Sequence, residues 1–452
     1  MDDHYSARRL PVDPGETGWL KILKNVPSYP SLDQDITADW VIIGGGFTGL
    51  SAAKHLSDQS TGTLNIALLE SNCIGAGPAG RNSGFMIDLP HALSGDSYVN
   101  DLETDRQQIR MNRLAQDFAV KVASEYDLAD HCVDPWGKIN AASDHNGQHH
   151  NDIYARQLDE LGESYQMLSA DDMFDISGSR FYSGGLYTPG TILLQPAEYI
   201  TGLARGLSRS AASHFKIYEQ SPALSFIRSG KHWVVKTPSG SITTGGIILA
   251  VNGHAESFGF YKRRLMHVFT YASMTKPLSN QQCKFMGGAD RWGITPSDPM
   301  GTTIRRIKQG AETRIVIRNR WSFDPSMEVS GKRVENYTRS HRLSFDRRYP
   351  DLKDVPFEYS WGGRLCLSRN NVPAFGVVDD HVISACCQNG LGTAQGTQAG
   401  IAAADLAMNR SSDYTSHLTN HDAPSKLPSG LFSYIGANAT IRFKEFKARR
   451  EI

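Results

Sequence analysis

The sequence predicts an α/β fold: a discontinuous Rossmann-like dinucleotide domain, plus an α+β second domain with a mainly antiparallel sheet. Three observations predict it. Residues 37–43 end in an apolar run that leads straight into Gly44-Gly45-Gly46-Phe47-Thr48-Gly49, the strand–turn–helix order that receives a pyrophosphate. A second apolar run, 64–69, ends on Glu70, about twenty residues past the last glycine, where a carboxylate can accept both ribose hydroxyls. Buried-strand patterns return at 246–253 and 381–386 after long segments of other periodicity, so the first domain is interrupted and resumed.

Composition narrows the function classes. Lys plus Arg and Asp plus Glu are 47 each over 452 residues, a net charge of zero that argues against a nucleic-acid partner. No apolar stretch approaches the ~20 residues of a spanning helix, and the polar start Met1-Asp2-Asp3-His4 is no secretory signal. The six cysteines form no C-x-x-C pair, so neither a disulfide framework nor a structural metal is expected, and the expected location is the cytoplasm.

Residues 1–36 carry Pro11, Pro14, Pro27 and Pro30 and read as an arm over the surface, anchored by Trp19, Leu20, Ile22 and Leu23. In the glycine motif, Gly44 permits the turn, Gly46 lets the backbone approach the pyrophosphate, and Gly49 lets the helix lie close on the sheet. That helix aims its N-terminal N–H groups at the phosphates. After Glu70 and Ser71 comes a glycine-dense loop, 75–84, with Gly80, Arg81, Asn82, Ser83 and Gly84. Its glycines allow close approach to a planar ligand, and Arg81 offers a fixed charge for a phosphate or ring carbonyl.

Leu102, Ile109, Leu114, Phe118 and Val122 follow helical spacing over 101–126. A shorter helix is expected over 151–161, and Ser169 with Asp171 and Asp172 caps a third. Pro196 stands at the first position of a helix to Leu207. Short strands follow at 216–218, 223–227 and 232–236, and the buried strand 246–251 ends on Asn252-Gly253. Residues 267–274 and 314–318 alternate like antiparallel strands with one wet face, and a helix is expected from about Lys332 to Phe345. Gln388-Asn389-Gly390-Leu391-Gly392-Thr393 opens an Ala-rich helix, a second helix start able to stabilise negative charge. The domains then read as an arm 1–36; a dinucleotide domain of 37–100, 190–255 and 365–415; a second domain of 101–189 and 256–364; and a tail 416–452. The tail's basic run, Arg442 to Arg450, is expected to be a solvated helix.

Gly44-x-Gly46-x-x-Gly49 with Glu70, Gly77-x-x-Gly80-Arg81-Asn82-Ser83-Gly84, Trp361-Gly362-Gly363 and Gly390-Leu391-Gly392-Thr393 resemble the D-amino-acid-oxidase-like FAD oxidoreductases. Within them the pattern is similar to the γ-glutamylputrescine oxidase and glycine/sarcosine oxidase branch, from about Tyr29 to the C-terminus. The resemblance implies FAD, a substrate sheet roofing the isoalloxazine, and an adenine contact from the Ala223 backbone. It also places Cys366 where monomeric sarcosine oxidases attach their flavin covalently, although a buried inert cysteine is the expected state here.

The implied reaction is oxidation of a C–N bond in an amine or N-substituted amino acid by hydride transfer to flavin, with hydrolysis of the imine and oxygen as acceptor. The competing readings are a dehydrogenase linked to a quinone or carrier protein, and a non-catalytic FAD-binding partner subunit. Candidates for the substrate site are His267 and Tyr271, on one face of one strand, and Trp361. Two readings stand for each of the others: lining or core for Phe85 and Met86, an amine site or a turn carboxylate for Asp88, and a carboxylate clamp or surface charge for Arg305 or Arg318. The cofactor set is completed by Phe47, Thr48, Asn252 and Gly253.

Overall fold

The computed structural model describes residues 4–90, 102–428, 430–448 and 451–452. Its first sheet has nine strands. Five form a parallel centre: Phe215–Tyr218, Ile66–Leu69, Asp35–Ile43, Ser241–Leu249 and Val382–Cys386. Their Val, Ile and Leu runs are buried on both faces, as parallel strands require. Antiparallel strands extend one side, ending in arm residues His4–Ser6 against Ser225–Ser229. One face is covered by helices Phe47–Ser60, Pro196–Ser210 and Ala394–Ala407, whose Leu50, Leu203 and Ala402 share a core with Ile42 and Leu68.

The second sheet has eight strands in the order Phe357–Ser368, Leu265–Thr275, Glu312–Phe323, Thr303–Gln309, Trp292–Pro296, Lys138–Ala142, Gly184–Thr188 and Gln166–Leu168. Every neighbouring pair is antiparallel except Trp292–Pro296 with Lys138–Ala142. Helix Gly331–Arg348 packs Phe345 and Val334 onto one face.

Three expectations shift. Helix Leu102–Glu125 buries Ala115, Ala119 and Val122 in the core of the first sheet rather than in the second domain; Asp101 lies outside the described residues. The 151–161 helix begins at His145, because Asp144 caps the N–H groups of Asn146 and Gly147. The boundary drawn at 365 falls inside strand Phe357–Ser368, an edge of the second sheet.

The arm is anchored as expected: Trp19 is fully buried beside Met274 and Trp361, with Leu20, Ile22 and Leu23 against it. The C-terminal helix Gly430–Ala448 is not simply solvated. Glu445 accepts from the Trp321 N–H, and Ala448 packs with Val268 and Phe323. Arg449 and Arg450 lie outside the described residues. Among the described residues no helix is long and apolar enough to cross a membrane.

Beyond that helix, Glu451 is buried, accepting from Ser297 Oγ (3.0 Å) and the Asp298 N–H (2.8 Å). Burial pushes its carboxyl up to about 7, against ~4.3 for an unperturbed Glu. The folded state holds this proton more tightly, so its stabilising contribution is complete below pH ~4.3 and is lost as pH rises through 7. Glu451→Gln is therefore expected to melt close to wild type at pH 5 and above it at pH 8. Parallel melting curves across that window would contradict the assignment.

Candidate functional site

A cavity of about 2070 Å³, its solvent-open mouth included, is lined from both large sheets, both glycine loops and the N-terminal arm. At its dinucleotide end, Gly44 has φ +109°, and a Cβ there would meet the Ala250 carbonyl oxygen at 2.5 Å. A Cβ on Gly49 would lie 1.8 Å from the Gly44 carbonyl oxygen, so only glycine lets the helix start close under the strand. Gly46 differs: a Cβ there would meet only the Ala79 Cβ, at 3.5 Å, leaving open space for a phosphate beside the helix N-terminus.

Glu70 Oε2 accepts from the Gly45 N–H and Oε1 from the Asn72 N–H, both at 2.9 Å, and Ser71 Oγ is 3.2 Å from Oε1. Burial raises its pKa, with these hydrogen bonds opposing. Lone pairs remain for two ribose hydroxyls. Phe47, Thr48, Ser71 and Ala223 also line the cavity.

At the other end, Gly390, Leu391, Gly392 and Thr393 line the wall where helix Ala394–Ala407 begins. Gly390 has φ +87°, and a Cβ on Gly392 would meet nothing within 4 Å. Thr393 Oγ1 is turned to the Phe85 carbonyl (2.9 Å), so the first N–H groups of the helix have no side-chain cap. Such an N-terminus suits the anionic pyrimidine end of a reduced flavin. Buried Asn252 Oδ1, which also borders the cavity, has no partner among the described residues. The two glycine-lined helix starts and the Glu70 carboxylate fit an FAD molecule laid along the cavity.

Several candidates support the site from behind. Arg81 reaches the lining, but its guanidinium donates to the carbonyls of Pro14, Gly15, Ala76 and Gly362. It therefore fastens the arm to the glycine loop rather than offering free donors to a phosphate. Asn82 and Ser83 line the cavity, while Gly80 and Gly84 make the turns around them: a Cβ on Gly80 would meet the Gly75 oxygen at 1.9 Å, and Gly84 faces Arg305. Arg305 is buried, donating to the carbonyls of Ser83, Gly84 and Leu194. Trp361, fully buried, donates to the Arg81 carbonyl and packs against Trp19. Gly253 backs onto His267.

His267 and Tyr271 do share a face, but neither lines the cavity. Strand side chains alternate, and on Leu265–Thr275 the residue lining the cavity is Thr270. His267 instead pairs with Glu256 (2.8 Å), and Tyr271 meets Ser322 Oγ (2.7 Å) with its ring against Tyr337. Phe85 lines the cavity, Met86 is core, and Asp88 is buried, paired with Arg113 at 3.1 Å.

Of the charged candidates only Arg318 reaches the cavity free. It is half-buried, its guanidinium lies 4.7 Å from the Trp321 ring centroid, and among the described residues it has no hydrogen bond or ion pair. Burial lowers its pKa to about 10, leaving it protonated at neutral pH. Sequence reasoning missed Thr270, Thr295, Thr303 and Trp321 beside it; polar residues on one face of strands in an antiparallel sheet were the available signal.

It also missed the arm as a wall. Arg9, Leu10, Pro11 and Asp13 line the cavity, and Asp13 pairs with buried Arg364 at 3.2 Å. Arg364 in turn donates to His254 Nε2 (2.7 Å), and burial together with that guanidinium pushes His254 down to about 3, so it stays neutral.

The model of the family described as DAO, FAD dependent oxidoreductase, matches residues 39–406. Curated relatives include "Probable oxidoreductase OrdL" of Rhizobium meliloti, 22% identical over 408 residues, which cover 89% of this chain and 90% of that one. Another is "Gamma-glutamylputrescine oxidoreductase" of Escherichia coli, 22% identical over 373 residues, covering 78% of this chain and 80% of that one. Among solved structures, glycine oxidase from Geobacillus kaustophilus has the same fold at TM-score 0.67 and 17% identity, over 86% of this chain and 100% of that one.

Proposed function

Because this chain belongs to the DAO family of FAD-dependent oxidoreductases, we propose that it oxidises the C–N bond of a carboxylate-bearing amine, an amino acid or N-substituted amino acid. The observation that carries the carboxylate is Arg318, a cavity cation that no described residue neutralises. Its planar fork suits a bidentate carboxylate. Bound FAD supplies the hydride acceptor for the carbon next to nitrogen.

The chain's own residues prepare the substrate. The acids lining the cavity are Asp13 and Glu70, and both are engaged, with Arg364 and with backbone N–H groups. Among the described residues, no lining carboxylate is thus left to hold the amine as an ammonium. Desolvation and the Arg318 charge both lower the amine's pKa, favouring the neutral form from which hydride departs. The arm contributes Arg9, Leu10, Pro11 and Asp13 to the wall. The imine is released to hydrolysis, and oxygen is the proposed acceptor, giving peroxide.

Two relatives are named for glycine and for γ-glutamylputrescine, molecules that each carry an amine and a carboxylate. An anaerobic flavin-bleaching screen over N-methyl amino acids, D-amino acids, γ-glutamyl conjugates and simple polyamines tests the reading. Carboxylate-bearing amines are expected to bleach and then form peroxide in air. Bleaching by polyamines alone would overturn the carboxylate, and bleaching without peroxide would favour a carrier-linked dehydrogenase.

The FAD is proposed to be non-covalent. Cys366 lines the cavity, but its hydrogen bond with Cys387 and its burial hold the thiol well above the usual cysteine range, away from the nucleophilic thiolate. Acid-precipitated holoenzyme should give a colourless pellet; a yellow one would establish the bond.

A further inference from the structure

The register of the second sheet aligns a row of side chains across its cavity face. Asn140 stands beside Thr295, and Thr303 beside Arg318. Thr295 is one step from the Ile294–Ile304 pair, which brings it next to Thr303. Strand spacing of ~4.8 Å puts Thr295 and Arg318 about 10 Å apart at the backbone, and the long Arg318 side chain can shorten that gap. Thr295, Thr303 and Arg318 all line the cavity.

Buried groups behind the row fix the direction of one hydrogen bond. Lys138 is fully buried and donates to Asn140 Oδ1. Burial lowers its pKa to about 8, so it remains an ammonium at neutral pH, with hydrogens only. The atom it faces must be the amide oxygen, which settles the Asn140 orientation. Thr295 Oγ1 lies 2.7 Å from that oxygen and 3.2 Å from the Ile139 carbonyl. Both are acceptors, so the single hydroxyl proton of Thr295 points away from the cavity. A ligand that reaches this oxygen meets lone pairs only.

We infer that Thr295 accepts a hydrogen bond from the substrate's amine nitrogen, and that the Thr295–Arg318 row selects substrates whose amine and carboxylate share one compact frame. The inference rests on the amino-acid reading above and deepens it. Thr295 is a specificity-determining residue; Asn140 and Lys138 act through it as positioning residues. A carbonyl or ether oxygen in place of the amine has no hydrogen to donate, would face lone pair against lone pair and be rejected.

The test uses FAD-loaded protein and two isosteric ligands, 2-aminoisobutyrate and pivalate. Neither carries a hydrogen on the carbon that would be oxidised, so binding is read at equilibrium from the flavin spectrum. Thr295→Val is expected to weaken 2-aminoisobutyrate roughly tenfold or more and to leave pivalate unchanged. Thr295→Ser should restore 2-aminoisobutyrate binding, again with pivalate unchanged. Equal weakening of both ligands, or of neither, would overturn the inference. Should Thr295→Val fail to load FAD, Thr295→Ala gives the same readout.

Arg318→Met separates the two readings, because it should weaken both acids together. If it binds both like wild type while Thr295→Val still discriminates, the carboxylate anchor fails and the amine contact stands. If wild type binds neither ligand, both readings fall.

Discussion

Arg318→Met is expected to lower kcat/KM for a carboxylate-bearing amine by about 10²–10³, since losing a charge-assisted pair in a desolvated site costs roughly 3–4 kcal/mol. The loss should fall on KM at least as much as on kcat, because the carboxylate is held in both ground state and transition state. Arg318→Lys keeps the charge without the bidentate fork and should recover only part of the activity. The same substitution should not destabilise the fold. Arg318 sits half-buried, its guanidinium 4.7 Å from the Trp321 ring centroid and with no hydrogen bond or ion pair among the described residues, and a desolvated cation without a counter-charge lowers stability. Thermal melting of the Arg318→Met apoprotein is expected at or above the wild-type midpoint. Unchanged kinetics, or a collapsed melting curve, would make Arg318 a structural residue.

That Arg318 stood beside Arg305 as an equal candidate shows where sequence reasoning stops. Both are arginines of the 256–364 segment, and only Arg318 falls in a strand that the sequence predicts. What separates them is what the folded chain brings to each: three carbonyls to Arg305, and open cavity to Arg318. The strand–glycine–helix–strand–Glu70 unit was legible because its parts are consecutive, and each glycine answers a local steric demand. Seven strands of the first sheet were legible as runs in the sequence, whereas His4–Ser6 and Ala374–Asp379, which complete its nine, were not.

The substrate wall was less legible because its residues are joined only through register. Alternation placed His267 and Tyr271 on one face but carried no information on which face the cavity would take. That is decided by helix Gly331–Arg348, which covers the Phe269 and Tyr271 side. Arg81 looked like a ligand because it lies among glycines. Its actual partners, Pro14, Gly15 and Gly362, come from distant parts of the chain, and the arm that supplies two of them precedes the family match at 39–406.

Gly46→Val should yield a folded protein that takes up no FAD, whereas Gly49→Ala should damage the fold itself. The contrast follows from what each Cβ would meet. At Gly49 it is the Gly44 carbonyl at 1.8 Å, a backbone atom inside the strand-to-helix turn, so the helix must move off the sheet and the apoprotein should melt early. At Gly46 the backbone has φ −93° and ψ −165°, a conformation open to any residue, and the nearest contact is a methyl at 3.5 Å. Valine is therefore tolerated, and its methyl groups occupy the space assigned to the pyrophosphate. At an FAD concentration a hundredfold above its dissociation constant, wild type should gain about 2.7 kcal/mol of stability. Gly46→Val should gain none while melting with the wild-type apoprotein in the absence of FAD. A yellow Gly46→Val protein would mean that the pyrophosphate does not lie at this helix start, and the placement of FAD along the cavity would fail with it.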